Sequence, residues 1–121
     1  MVKPLSVFFI CLFTSMGSLA FAIDMSGVFA YPVPFNPKKW PAIKFDKGTL
    51  PTGNVVKMEV FDINGDSVIT RTFSSISAAL WNARNEKGKL VSPGMYIIKI
   101  SIEDTSTGDF GKKIIRVLIA Y

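Results

Sequence analysis

No long stretch of the sequence repeats its apolar residues with the period of a helix. Short apolar runs recur instead, and Gly, Pro, Asn and Asp residues interrupt them at short intervals. The clearest run is Met95–Glu103, where Tyr96 and three isoleucines alternate with Lys99, Ser101 and Glu103. Alternation with a period of two puts the two sets of side chains on opposite faces of a strand. The pattern therefore predicts an all-β chain of antiparallel strands.

Seven segments of the chain have the composition of strands. They are Val28–Tyr31, Ala42–Asp46, Val56–Val60, Ser67–Phe73, Ala79–Trp81, Met95–Glu103 and Phe110–Ala120. Asn64-Gly65 is a strong hairpin signal between the third and fourth segments, and Thr49–Asn54 has the composition of a turn. Pro32–Pro37 is too rich in proline for a central strand, so we expect a stiff loop in which Phe35 closes one end of the core. Seven strands in about 100 residues predict an antiparallel β-sandwich that is immunoglobulin-like or fibronectin-III-like.

The N-terminal segment differs in composition from the rest of the chain. Lys3 precedes the almost uncharged and mostly apolar stretch Leu5–Leu19, and a small-x-small motif follows at Ala20–Ala22. These are the three parts of a secretory signal peptide. The alternative is an uncleaved anchor helix, but the apolar stretch is short for a span, which needs about 20 residues. The sequence predicts a cleaved signal peptide at residues 1–22 and one domain at residues 23–121.

The residue types of the predicted domain exclude much of enzyme chemistry. The only cysteine, Cys11, belongs to the predicted signal peptide, and the sequence contains no histidine. The common pairs of nucleophile and base and most transition-metal sites are therefore excluded. Asp62, Asp66, Glu86 and Asp109 all fall in turn contexts, and nothing in the sequence places two carboxylates across an apolar pocket. We expect neither catalysis nor a cofactor.

The charge of the predicted domain is moderate and scattered. Without Lys3, thirteen basic and nine acidic residues leave a net charge of +4. Only Lys38-Lys39 and Lys112-Lys113 are adjacent pairs of basic residues. Nucleic-acid-binding domains concentrate such residues on one face, so we expect no nucleic-acid partner. We also expect no transmembrane span once the signal peptide is removed.

Asp62, Asn64 and Asp66 have the spacing that begins a calcium-binding loop. The sixth position of such a loop requires glycine and the twelfth a bidentate glutamate, whereas Ser67 and Phe73 stand there. We therefore interpret the segment as a polar hairpin turn in which Asn64 and Gly65 both have positive φ angles, and we predict no metal site.

The two tryptophans have different sequence contexts. Trp81 lies at the end of a predicted strand, which favours a core position over a ligand platform. The other residues predicted to form the core are Tyr96, Ile98, Ile100 and Val117. Trp40 lies in a loop between Lys39 and Pro41, and it is the better candidate for an exposed recognition aromatic.

The last two strands predict a surface for a partner. If Glu103 pairs with Phe110, the antiparallel hairpin places Met95, Ile97, Ile114 and Leu118 on the face opposite the core. Lys99, Lys112 and Arg116 lie among them. Water-covered faces of antiparallel sheets are mostly polar, and exposed apolar clusters mark contact sites. Two alternatives stay open: a β-bulge that shifts the register, or a loop that covers these residues.

Three motifs in the right order resemble one domain family. Tyr31–Pro37 resembles the opening Tyr-Pro-Asn-Pro-Phe-Asn-Pro of the immunoglobulin-like domain family typified by the flagellar hook-capping protein FlgD. Val60–Val68 resembles its Tyr-Asp-x-x-Gly-Arg-x-Val hairpin, and Trp81–Tyr96 resembles its segment from Trp-Asp-Gly-Arg to Gly-x-Tyr. The chain departs from the family pattern at Val33 and at Asn82-Ala83.

The resemblance implies an immunoglobulin-like fold and an exported interaction or structural module. The flagellar protein has no cleaved signal peptide, so the predicted signal peptide argues against hook capping. We expect a non-catalytic module that binds a protein in the bacterial cell envelope or outside the cell, whether periplasmic, cell-surface or secreted. Similar domains are sorting tails in bacteria with type IX secretion, so a sorting or assembly domain of a secretion or appendage system is one alternative. A carbohydrate-binding module that uses Trp40 and Tyr121 is the other.

Overall fold

A computed structural model of the chain describes residues 22–46 and 55–121. Its strands are β1 (Phe29–Tyr31), β2 (Ile43–Asp46), β3 (Val55–Asp62), β4 (Ser67–Phe73), β5 (Leu80–Trp81), β6 (Gly94–Glu103) and β7 (Phe110–Ile119). A 3₁₀ turn at Ile76–Ala78 precedes β5, and the Ser75 hydroxyl caps it by accepting the Ala78 N–H. The predicted all-β class is thus confirmed. No helix within the described ranges is long and apolar enough to cross a membrane.

Two predictions from the sequence concern residues that the structure does not describe. The predicted signal peptide, which includes Cys11, lies outside the described ranges except for Ala22. The turn predicted at Thr49–Asn54 lies outside them as well.

The strands form two antiparallel sheets. One sheet has three short strands in the order β1-β2-β5, and the other has four longer strands in the order β4-β3-β6-β7. Apolar side chains from the inner faces of both sheets meet between them, as in a β-sandwich. The predicted sandwich of seven strands is therefore confirmed, and the four-stranded sheet contains the long β6–β7 hairpin.

The core is formed by residues at every second position of the longer strands. Val56, Met58 and Val60 of β3 are fully buried, as their alternation with charged residues predicts. Phe35 is also fully buried and comes from the proline-rich loop, where we expected it to close one end of the core. The five residues predicted as core, Trp81, Tyr96, Ile98, Ile100 and Val117, all lie in the interior.

The β3–β4 turn corrects one detail of the sequence prediction. Among the described residues, Ala83 is the only non-glycine with positive φ, so the expected positive φ of Asn64 is wrong. The Gly65 N–H donates to the Asp62 carbonyl, and the Asp62 N–H donates to the Asp66 carbonyl. The hairpin therefore has a three-residue loop, in which only the last position, Gly65 with φ of 87°, needs the left-handed region.

Candidate binding surface on the β6–β7 hairpin

The register of β6 and β7 decides which side chains share a face. The two strands form ten consecutive residue pairs, from Gly94 with Ile119 to Glu103 with Phe110. The pairing of Glu103 with Phe110 on which the predicted surface depends is thus confirmed. No shift interrupts this ladder, and the β-bulge of the sheet lies between β3 and β4 instead, at Val60 and Phe61.

The outer side of this hairpin carries the predicted partner surface, which we call the hairpin face: Met95, Ile97, Ile114, Arg116 and Leu118. The register pairs Met95 with Leu118 and Ile97 with Arg116, and it sets Ile114 beside Lys99. Ile114 is 65% exposed, Met95 40% and Leu118 38%, whereas Ile97 is half-buried. The described loops therefore leave three of the four apolar side chains exposed.

The neighbouring strand extends the apolar area. Phe61 of β3 is half-buried and pairs with Ile97, so both side chains lie on the outer side. Phe110 is 55% exposed at the far end of β7, on the same side. Sequence reasoning missed both residues. The alternation of Val56, Met58 and Val60 does put Phe61 on the outer side, but its pairing with Ile97 depends on the order of strands in the sheet.

The charges around the hairpin face are mainly basic. Arg116 lies within it, and Lys112 is exposed two residues before Ile114. Lys99 lies 4.0 Å from the Glu59 carboxylate across the β3–β6 ladder, which partly neutralises that lysine. Lys112 and Arg116 have no such carboxylate partner among the described residues. The surface therefore combines an apolar centre with two cations on β7 that have no ion-pair partner among the described residues.

Trp40 lies in the loop that joins β1 to β2 of the other sheet, and its N–H donates to the Asn36 carbonyl. It is 42% exposed and lines a shallow pocket of about 260 Å³ together with Tyr31, Pro32, Pro41 and Lys44. The Lys39 ammonium lies 5.9 Å from the centre of its ring. Sequence reasoning did not find Tyr31 as an exposed partner of Trp40, because that needs the loop and β1 to be placed together.

Trp81 and Tyr96 pack edge to face, with ring centres 5.6 Å apart. The Trp81 Nε1–H donates to the Arg84 carbonyl, and the Tyr96 hydroxyl donates to the Ser92 carbonyl. Burial raises the pKa of Tyr96 above its ordinary value of 10.0. Both polar atoms therefore hold the segment that joins β5 to β6 against the core.

The turn after β3 is stabilised by the Asp62 carboxylate. One Asp62 oxygen accepts the backbone N–H groups of Asn64 and Asp66. Within the described residues no three acidic or cysteine side chains converge as metal ligands would. The geometry is that of a turn in which the side chain substitutes for missing backbone bonds.

Comparisons with known proteins bear on the fold. No protein-family model and no curated protein matches the sequence, so the resemblance to the hook-capping family stays a prediction. The chain is similar to the solved structure of PorZ, an essential bacterial surface component of the type-IX secretion system of Porphyromonas gingivalis. The TM-score is 0.57 at 23% identity, over 78% of this chain and 12% of the PorZ chain. At that identity the likeness shows a shared β-sandwich fold, and this chain corresponds to a small part of PorZ.

Proposed function

We propose that the domain is a non-catalytic protein-interaction module that binds a partner protein through the hairpin face. The observation that carries the proposal is the apolar outer side of β6 and β7, where Ile114, Met95 and Leu118 are exposed together. A sheet face in contact with water alone is mostly polar. Exposed apolar residues that adjoin one another, as Met95 and Leu118 do across the ladder, mark protein contact sites.

The basic residues suggest the chemistry of the partner. Arg116 and Lys112 flank Ile114 on the same side of β7. An interface with an apolar centre and charges toward its rim is the usual arrangement in protein complexes, and complementary charge guides the encounter. We infer that the partner presents apolar side chains bordered by acidic ones.

The place of action is the cell envelope or the exterior of the cell. The predicted signal peptide at residues 1–22 supports export, and the likeness of the fold to a bacterial surface component agrees with it. The same likeness favours a second candidate, in which the domain helps to sort or assemble components of a secretion system. The two candidates differ in the identity of the partner: a secretion or appendage component supports the second.

Carbohydrate binding is the weaker alternative. The pocket between Trp40 and Tyr31 offers aromatic surface, but of the described residues that line it Lys44 alone is charged. Ligand sites fix a polar molecule with several converging donors and acceptors. The apolar centre and basic rim of the hairpin face suit a protein partner better.

The test compares two exported variants of the full chain in the cells that produce it. Ile114→Lys with Leu118→Lys adds two charges to the hairpin face, and Ser67→Lys with Thr72→Lys adds the same charge at exposed positions of β4. Both pairs lie on the surface, so each melting temperature should stay near that of the parent. Crosslinking followed by mass spectrometry should recover a partner with the parent and the control, at a yield at least about tenfold above the Ile114/Leu118 variant, as expected for loss of about 1.4 kcal/mol.

Two results would contradict the proposal. Undiminished recovery of the partner with a folded Ile114/Leu118 variant would show that the hairpin face is not the contact. Unfolding of that variant with a stable Ser67/Thr72 control would show that the two apolar side chains belong to the core.

A further inference from the structure

The free edge of β7 has backbone partners at its two ends. β7 is the last strand of the four-stranded sheet, so one row of its N–H and C=O groups points away from β6. The Phe110 carbonyl accepts the Ile23 N–H at 2.7 Å. At the other end, the Leu118 carbonyl accepts the Phe35 N–H at 2.8 Å, and the Ala120 N–H donates to the Phe35 carbonyl at 2.9 Å. The groups that point outward therefore belong to even-numbered residues.

The middle of the same edge lacks a backbone partner among the described residues and so forms an opening; on its inner side, the Lys113 ammonium donates to the Ser26 and Val28 carbonyls. Lys112, Ile114 and Arg116 continue the outward row, and no backbone group within the described ranges bonds to them. Ile23 and Phe35, which bound the opening, are both buried in the core. The opening thus has fixed ends, and at about 3.3 Å per residue it accommodates an added strand of about five residues. Unpaired edge groups are a template for another strand.

We propose that an extended, acidic segment of the partner protein binds here by adding a strand to the sheet. This inference rests on the proposed function, since the added strand would lie beside the hairpin face and extend the same contact. In strand addition, backbone hydrogen bonds supply affinity and alternate side chains supply specificity. The alternate side chains of this edge are Lys112, Ile114 and Arg116, all exposed on the outer side.

The charges along the β7 edge indicate which kind of strand would bind there. A cation, an apolar residue and a second cation follow one another along the edge, so the complementary strand reads acidic-x-apolar-x-acidic. That pattern reads the same in both directions, so a parallel or an antiparallel strand would place its acidic residues beside Lys112 and Arg116. Opposite charges directly across a ladder are stabilising and like charges are destabilising.

A second copy of the chain does not fit this edge. In an antiparallel pair centred on Ile114, Lys112 of one copy would face Arg116 of the other. A parallel pair in register would need the odd-numbered backbone groups of one copy, and those groups face β6. The antiparallel pair sets like charges side by side and the parallel pair lacks free backbone groups, so the edge disfavours its own copy and favours a strand of opposite charge.

The probe is a labelled peptide of sequence Thr-Glu-Thr-Val-Thr-Glu-Thr with blocked ends, titrated against the purified protein. Two N-methylated versions separate strand addition from other binding: one methylates the two Glu residues and the Val residue, and the other methylates the second, third and fourth Thr residues. Only one of these sets of N–H groups can face β7. Three lost hydrogen bonds should weaken binding by at least about tenfold for that set, while the other set should bind nearly as the parent peptide does. Equal effects of the two sets would overturn the proposal.

Charge exchange is the second arm of the experiment. Lys112→Glu with Arg116→Glu should weaken binding of the peptide by about tenfold and should create binding of the version with Lys in place of Glu. The control, Lys44→Glu with Lys87→Glu, makes the same change in net charge at exposed positions elsewhere. Equal loss in the control, or no loss in either variant, would overturn the proposed contact.

The two proposals can fail separately. If the Ile114/Leu118 variant loses its envelope partner but the methylated peptides show no alternation, the hairpin face stands and strand addition falls. A dimer that forms with rising protein concentration and is displaced by the peptide would identify a second copy as the occupant and would overturn the acidic partner.

Discussion

The two edges of the four-stranded sheet are protected in different ways. At the β4 edge, the Glu86 side chain accepts the Thr70 N–H at 3.1 Å and pairs with the Arg71 guanidinium at 2.6 Å. At the β7 edge, backbone bonds from Ile23 and Phe35 close the two ends. The β4 edge is thus protected by one carboxylate at the surface, and the β7 edge is protected by residues whose side chains are buried in the core.

The two kinds of protection differ in how much each contributes to the free energy of unfolding. The side chains of Arg71 and Glu86 are about half exposed, and exposed ion pairs contribute little to stability. Ile23 and Phe35 bury apolar side chains, and loss of such burial costs several kcal/mol. We therefore expect the β4 edge to respond to pH and salt, and the β7 edge to stay as it is unless the core is disturbed.

The largest effect should come from Trp81→Ala, which tests whether the β4 protection depends on the core. Trp81 is 1% exposed, and its Nε1–H holds the Arg84 carbonyl in the segment that carries Glu86. Deletion of a buried aromatic side chain costs about 3–5 kcal/mol. Denaturant titration should show that loss, which is a large part of the stability of a domain of this size.

Leu80→Ala is the matched control for this substitution. Leu80 precedes Trp81 in β5 but is 45% exposed, so its truncation should cost much less. A Trp81→Ala protein as stable as the parent would contradict the core assignment and would favour the ligand-platform interpretation.

Gly111→Ala should have the next largest effect, because it displaces one end of the β7 protection. A Cβ at this position would lie 2.6 Å from the Ile23 carbonyl oxygen and 2.8 Å from Met25 Cγ. Overpacking of this kind costs about 1–3 kcal/mol. Amide exchange at Val28, whose N–H donates to the Met25 carbonyl, should accelerate.

The control is Lys112→Ala, at the next position on the exposed side of β7. It should leave both the stability and the exchange at Val28 nearly unchanged. Unchanged exchange at Val28 in the Gly111→Ala protein would show that the N-terminal segment does not pack on β7 as described.

Local patterns in the sequence were sufficient for the sandwich, the β6–β7 register and the buried position of Phe35. Period-two alternation fixes the two faces of a strand, and a proline-rich loop cannot continue a ladder.

The sequence was insufficient where distant segments meet. The pairing of Phe61 with Ile97 needs the strand order, and the bonds of Ile23 and Phe35 to β7 join residues far apart in the chain. The conformation predicted for Asn64 was wrong for a local reason, since Asn-Gly occurs in both two-residue and three-residue hairpin loops.

The smallest effect should come from Glu86→Gln, which tests the β4 edge alone. The Arg71 guanidinium, followed by the Thr70 N–H, lowers the pKa of Glu86 below its ordinary value of 4.5. A carboxylate with a lowered pKa in the folded state adds stability above its ordinary pKa, and this addition disappears as the pH falls through the folded value. The variant should therefore melt slightly below the parent at pH 7, and the difference should shrink to zero as the pH falls well below 4.5. Glu103→Gln, at an exposed position of β6, is the control and should show no such convergence. A Glu86→Gln difference that is as large in acid as at pH 7 would mean that the carboxylate charge does not protect this edge, and that the contrast with β7 lies in the backbone alone.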